Sequence, residues 1–510
     1  LGMLLAVADH APASGKAGER PARRNSLRAE AAGLVVAVAT LAGWADPAAA
    51  QPVASRAPVV FATQRGAPPA ALPRPYMNGN GKAFRPFAYD PALGAAAGDL
   101  AASGKVGWSV SADGMLATFD QGRQARVVLN WESFDIAAGH RVHFRQDTDP
   151  TRQVSALNRI WGADPSLIFG SLTADREVIL VNGNGVYFGR GAQVDTGKFI
   201  ASTLNLADAV FEKGLRNVTD GSAVFDSTAT DLATHLDSAV SVESGAEIRS
   251  AAGGDVLLIA PRVVNQGRLV TPQGQTVLAA GEKVYLMSSS DPAQRGLIVA
   301  VDPFKVDGVP DPTLGRVENA ASGSDNTPPG GSTVSATSGL VSRLNEIRAE
   351  SGTVNLVGLA VRQAGVINAT TAVKGANGAI YLQGMASTTT LRSGSAAVAG
   401  SAGDRGLQIE AGASVRVGQQ LGTVDVGGHS VTAVVPQTGP GTQLDAETFH
   451  PSRIRIEAAQ ISVADGAQVL APAGRIDLLA ATDTLGNGTG ATTLNSLFYG
   501  STAGLAASGS

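Results

Sequence analysis

The sequence predicts an all-β solenoid, a parallel β-helix, and three observations lead there. The first is a chain of short apolar alternations cut at close intervals by glycine and asparagine. Val178 and Leu180, then Val186 and Phe188, then Val194, are separated by Asn182-Gly183-Asn184-Gly185 and by Gly189, Gly191 and Gly197. Period-two runs bounded by residues that tolerate positive φ are short strands joined by tight corners, and several in succession make a coil of strands rather than one hairpin. The second is a repeat: Gly254 and Gly274 lie 20 residues apart, Gly245 and Gly267 lie 22 apart, and Gly254 to Gly267 spans 13, as does Gly352 to Gly365. A period near 20 built of strands and glycine corners describes turns that cannot bury their apolar faces alone. The third is composition: 62 glycines with only 5% aromatic residues suit a thin core of Val, Leu, Ile and Ala.

The totals also exclude some functions. A net charge of −4 with scattered Lys and Arg leaves no electrostatic footprint for nucleic acid. With no cysteine, disulfides, thiolate metal sites and cysteine nucleophiles are absent together.

Taken in order, residues 1–50 predict a secretory signal peptide with an extended n-region. A basic cluster (Arg20, Arg23, Arg24, Arg28) precedes a 13-residue apolar run over 31–43, and Ala48-Ala49-Ala50 supplies a small-residue cleavage site. The run is shorter than the roughly 20 residues of a membrane span. Residues 51–105 are rich in Pro, Ala and Gly and predict an extended linker without a strand ladder. Order begins at 106, where Val106-Gly107-Trp108-Ser109-Val110 and Leu116-Ala117-Thr118-Phe119 form a candidate hairpin about Asp113-Gly114, suited to capping one end of a coil. Asp231-Leu232-Ala233-Thr234-His235-Leu236 suggests a helical turn or two on the outside.

From Val240 the repeat is explicit. Strands open at Gly245, Gly267, Gly365 and Gly466, each followed by a second glycine and an apolar alternation at Gly254, Gly274, Gly378 and Gly474. Residues 340–350 balance between helix and strand by propensity, but aligning 345–356 with 265–278 makes them strands of the repeat. Two insertions, 315–338 and 434–451, are expected to be surface loops, and the uncapped 486–510 leads us to expect a truncated rod.

The segment 176–206 resembles the secretion domain of filamentous-haemagglutinin-type two-partner secretion exoproteins. The family's Asn-Pro-Asn-Gly stands here as Asn182-Gly183-Asn184-Gly185. Val186-Tyr187-Phe188-Gly189, Gly191-Ala192-Gln193-Val194 and Ala201-Ser202-Thr203-Leu204 follow in the family's order. Upstream, Val127-Val128-Leu129-Asn130-Trp131-Glu132-Ser133-Phe134-Asp135-Ile136 and Ala156-Leu157-Asn158-Arg159-Ile160 resemble family blocks. The departure is Gly183 in place of proline, which leaves the turn looser. The resemblance implies a right-handed parallel β-helix with N-terminal capping strands, a secretion domain over 106–301, and further passenger rungs over 302–510. It also implies an outer-membrane β-barrel partner with POTRA domains, recognition through Asn182, Gly183, Asn184 and Gly185, and secretion or display at the cell surface. The function implied is that of an adhesin or haemagglutinin with host receptors or glycans as ligands.

Two other functions share such a rod: a carbohydrate-active β-helix enzyme, and the delivery stalk of a contact-dependent toxin or haem-acquisition protein. An enzyme would need carboxylates clustered on adjacent rungs. Glu243, Asp255, Glu282, Asp425, Glu457 and Asp477 stand singly, so the sequence predicts no catalytic residue, no cofactor and no enzyme. His140 and His143, with Asp147 and Asp149, do not make a metal site: two histidines three apart on a strand face opposite ways, and Asp147-Thr148-Asp149-Pro150 reads as a turn.

Overall fold

The computed structural model describes residues 70–75, 87–89, 107–218, 222–228, 234–288, 297–306, 309–311, 313–320, 346–371, 378–384, 387–392, 407–409, 414–419, 422–436, 452–472, 474–480, 500–501 and 505–507. The signal-peptide segment lies outside these residues. Within them the chain winds through three parallel faces, the β-helix expected from the sequence. One turn runs through Arg141–Gln146 on the first face, Ser155–Ile160 on the second and Ser166–Ile168 on the third. The next repeats the path with Ser171–Ala174, Glu177–Asn182 and Val186–Phe188. Pairing between turns is parallel and in register: Val178 lies opposite both Ala156 and Phe199, and Val186 opposite both Ser166 and Val240. The path already holds from Leu116–Gly122 and reaches Arg475–Ala480, so the repeat starts well before Val240.

Alternation decides which side chains fill the coil. On the second face Val178, Leu180, Phe199, Ala201, Val256 and Leu258 point inward, into one continuous core. Their neighbours Ile179, Val181, Ile200, Leu257 and Ile259 point outward yet are equally buried, because insertions cover this face and make a second core. One insertion carries the helix Asp208–Lys213, whose Phe211 is buried against the face, and the strand Phe225–Asp226. The other is the antiparallel pair Lys283–Ser288 and Leu297–Asp302. Burying an aliphatic side chain of this size is worth about 1.5–3 kcal/mol, so both sides of this wall contribute to stability.

Several expectations need correction. The 51–105 segment is not free of ladder strands: Arg74–Pro75 and Phe87–Tyr89 pair antiparallel with Arg126–Ser133. They cover the otherwise open edge of the first second-face strand, and proline is tolerated at such an edge because no ladder partner needs its amide. The hairpin is present as Gly107–Val110 on Leu116–Gly122, with Gly114 at φ 72°. Residues 231–233 lie outside the described residues and 234–238 form a turn, while the outside helix is Asp208–Lys213.

Of the two expected loops, 321–338 and 437–451 lie outside the described residues, but each expected loop begins as strand. Arg316–Asn319 pairs with Arg262–Asn265, and Val434 lies within Val431–Pro436 on the first face. Apolar alternation on a waiting ladder overrides the local Gly and Pro content. Glu346–Glu350 is a strand, with Ile347 opposite Leu269, as the repeat alignment required.

Candidate functional site

Asn182 ends a second-face strand, and the four residues 182–185 turn the corner to the third face. The Gly185 amide donates to the Asn182 carbonyl at 3.0 Å, closing a β-turn. Asn182 Oδ1 accepts from the Asn184 amide at 3.0 Å and from Asn184 Nδ2 at 3.1 Å, an Asx turn inside the backbone turn. The remaining amide hydrogens tie the corner to the preceding one: Asn182 Nδ2 donates to the Asp164 carbonyl and to Ser166 Oγ, both at 3.0 Å, and Asn184 Nδ2 donates to the Gly162 carbonyl at 2.8 Å. From above, the His235 amide donates to the Gly183 carbonyl at 3.0 Å. Gly185 needs its freedom, sitting at φ 125°.

Asn182, Gly183 and Gly185 are buried, and only Asn184 is partly accessible. The four predicted residues therefore come together as one turn, stacked between two other segments of the coil, with little side-chain surface for a partner of the folded protein.

The rest of the motif is wall. Val186 and Phe188 face the core, where Phe188 meets Phe199 edge-on with ring centroids 5.8 Å apart. Ala192, Val194 and Ala201 continue inward. Tyr187 points outward and donates to Glu243 Oε2 at 2.7 Å, and the same oxygen accepts from the Arg190 amide at 2.8 Å. Burial, and then the bond to Glu243, push the Tyr187 phenol above its ordinary range.

The resemblance also placed weight on Gly183, and the geometry gives a prediction there. Neither Gly183 nor Asn184 lies at positive φ, so the turn is of the type I kind, which suits proline at its second position. Gly183 donates no amide hydrogen bond among the described residues, and Asn182 is already extended, as the residue before a proline must be. Gly183→Pro is expected to raise stability by about 0.4–1 kcal/mol by restricting the unfolded chain, read as a higher urea midpoint. A lowered midpoint would contradict this turn assignment.

Sequence reading missed two supports. Asn158, fully buried, accepts from Trp131 Nε1 at 3.0 Å and donates to the carbonyls of Ala156 and Ile179. Arg159 reaches out to Asp208 at 2.6 Å and to the Leu206 carbonyl, anchoring the first insertion. Both lie in an upstream block already noticed, but only the alternation of inward and outward positions assigns their separate tasks. Asp147-Thr148-Asp149-Pro150 is the expected turn: Asp147 Oδ1 accepts from the Asp149 amide, and Asp149 Oδ1 from the Thr151 amide. His143 Nδ1 pairs with Thr173 Oγ1 at 2.9 Å, and His140 Nδ1 lies 3.3 Å from the Ala138 carbonyl. Among the acids weighed for catalysis, Asp255 is bound by Arg216 at 2.6 Å, Asp425 by Ser462 at 2.6 Å and Asp477 by Arg475 at 2.6 Å.

Residues 95–304 match the family model of the TPS secretion domain. A heme/hemopexin-binding protein of Haemophilus influenzae strain Rd is 36% identical over 109 residues, which are 21% of this chain and 12% of that protein. A second heme/hemopexin-binding protein from Haemophilus influenzae is 37% identical over 89 residues, 18% of this chain and 9% of that one. The chain thus matches only about a tenth of the length of either relative. Two solved structures are similar: the HMW1 secretion domain from Haemophilus influenzae, with TM-score 0.44 and 16% identity over 74% of this chain and 82% of that one, and the filamentous hemagglutinin secretion domain, with TM-score 0.37 and 13% identity over 74% and 97%. With the ordered motif, the in-register coil and the family match converging on the same residues, this chain carries a TPS secretion domain over residues 95–304.

Proposed function

We propose that residues 106–301 direct this protein across the outer membrane through a POTRA-barrel transporter, and that 302–510 are the first passenger rungs of a non-enzymatic adhesin acting at host receptors or glycans. In this reading residues 1–50 are the signal peptide for the inner membrane and 51–105 the connecting segment, two short pieces of which close the edge of the first rung. The protein is then released or held at the cell surface. The observation that carries the reading is the family match over 95–304, which covers the turns that cap and start the coil.

Burial of residues 182–185 shapes the mechanism. A corner this enclosed offers Asn182 to a transporter only before the rung closes, so recognition precedes folding, and the same amides then lock the turn outside the cell. The heme/hemopexin-binding relatives share about a tenth of their length with this chain, and a haem-acquisition role would rest on passenger sequence beyond that shared part.

The test is secretion in a Gram-negative host with and without a cognate POTRA barrel. The wild-type chain is expected in the medium only with the barrel, and the double variant Asn182→Ala, Asn184→Ala is expected to fall to background. That variant also loses about 1–3 kcal/mol for each buried group left unpaired, so a remote variant of matched instability, Leu356→Ala, serves as its control. Secretion of Leu356→Ala alongside failure of the double variant would support recognition through the corner. Equal failure of both would reduce the corner to a structural turn, and barrel-independent release of the wild type would overturn the export reading itself.

A further inference from the structure

At the opposite end of the second-face strands from the 182–185 corner lies a cavity of about 320 Å³, enclosed between the corners leading from the first face to the second and the 208–217 insertion. Five cationic side chains line it, Arg126, Arg152, Arg176, Lys198 and Arg216, against three carboxylates. The coil makes this cluster from residues far apart in sequence. Arg126, Ser155, Glu177 and Lys198 occupy one register column on four successive strands, spaced about 4.8 Å apart.

The internal pairings leave cationic capacity over. Asp255 is taken by Arg216 at 2.6 Å, with Lys198 at 3.8 Å. Asp175 accepts from the Gln146 amide at 3.0 Å, and Glu177 accepts from Ser155 Oγ. Arg152 turns away to Asp147, outside the cavity. Among the described residues the Arg176 guanidinium donates only to backbone carbonyls, of Arg152 at 2.6 Å and Asp149 at 3.4 Å. The Arg126 guanidinium makes no hydrogen bond or ion pair among the described residues. Its head lies beside the insertion, where a β-carbon placed on Gly214 would come within 2.9 Å of Arg126 Nη2. Two guanidinium groups with no carboxylate partner among the described residues thus line one concave site, and guanidinium is the donor group suited to an oxyanion.

We propose that this cavity is an oxyanion-binding site in which Arg126 and Arg176 receive a sulfate, phosphate or carboxylate group. The ligand replaces the missing counter-charge and bridges the first rungs to the insertion that packs over them. The proposal stands apart from the export reading and survives its failure, because it concerns the folded domain.

The test uses the purified full chain and three probes, sodium sulfate, sodium phosphate and sodium succinate, each against sodium chloride at matched ionic strength. Isothermal titration is expected to give saturable binding of at least one probe, and a higher unfolding midpoint with it. The rank of the three identifies the source class as a sulfated glycan, a phosphorylated group or an acidic side chain. Arg126→Gln removes a guanidinium that holds no other part of the fold, so it is expected to leave the midpoint in chloride unchanged while weakening probe binding about tenfold or more, the size of one charge-assisted hydrogen bond. Arg74→Gln, outside the cavity, is the control and keeps full affinity. No saturable binding by any probe, or equal binding by the wild type and Arg126→Gln, would overturn the proposal.

Discussion

Replacing Trp131 with alanine is expected to cost about 3–5 kcal/mol, among the largest single losses available in this chain. Trp131 is fully buried near the end of Arg126–Ser133, and its ring meets Phe119 and Phe134 edge-on with centroids 5.2 and 5.4 Å away. Phe119 in turn packs against Phe144 at 5.1 Å and under Trp108 at 6.2 Å, so five aromatic side chains gather at the first turns. Their task follows from solenoid geometry: inner turns are sealed by neighbours on both sides, but the first turn needs its own plug.

Truncation to alanine opens a cavity and also strands Asn158 Oδ1, which Trp131 Nε1 satisfies at 3.0 Å, adding part of the cost of a buried unpaired acceptor. The conservative Trp131→Phe keeps most of the volume and loses the donor, so it should fall between. Urea unfolding of the three proteins checks the order. Hydrogen exchange should find the new lability centred on the strands that border Trp131, Leu116–Gly122 and Ser155–Ile160. A shift below about 1 kcal/mol for the alanine variant would mean that the aromatic cluster is not the plug.

How much of this was legible in the sequence depends on what each residue type is tied to. Glycine and asparagine corners are bound to backbone geometry, so 182–185 and the repeating glycines could be read directly. Inward alternation is a local pattern, so Val178, Leu180, Val186 and Phe188 could be assigned to the core without coordinates. Outward alternation could not be resolved in the same way: Ile179, Ile200 and Leu257 are apolar because two insertions fold back over them, and nothing local in those insertions announces it. The helix Asp208–Lys213 is only 6 residues long and has no side-chain N-cap, so it left no start signal. Arg74–Pro75 and Val434 were misjudged because a ladder edge already in place can impose strand on segments whose composition argues against it. The cationic cavity was invisible for a related reason. Arg126, Arg176 and Lys198 are dispersed along the chain, and only the register of successive turns brings them to one wall.

Gly274→Ala carries the second large expectation, and its sign has to be decided between two opposing effects. Gly274 does not lie at positive φ, so by backbone preference alone alanine would stabilise by about 0.4–1 kcal/mol. Against this, a β-carbon on Gly274 would stand 1.7 Å from the Gly254 carbonyl oxygen, one on Gly254 would stand 1.9 Å from the Gly197 carbonyl oxygen, and one on Gly352 would stand 2.3 Å from the Gly274 carbonyl oxygen. The four glycines form a column in which each turn rests directly on the backbone of the one before. Backbone cannot swing aside as a side chain can, so the rungs must part, and the ladder bonds beside the contact, such as Thr353 amide to Gly274 carbonyl at 3.0 Å, must lengthen.

Overpacking of a close-packed site costs about 1–3 kcal/mol and more where nothing can yield, which outweighs the entropic gain. Gly253→Ala separates this steric effect from the ordinary demand for a left-handed backbone: Gly253 sits at φ 75° with nothing within 4 Å of an added β-carbon, so its variant should lose only about 1–2 kcal/mol. Thermal and urea midpoints of the two variants decide the matter. A larger loss at Gly274 than at Gly253 makes close stacking the reason the glycine repeat exists, and the reverse order would make turn conformation the reason instead.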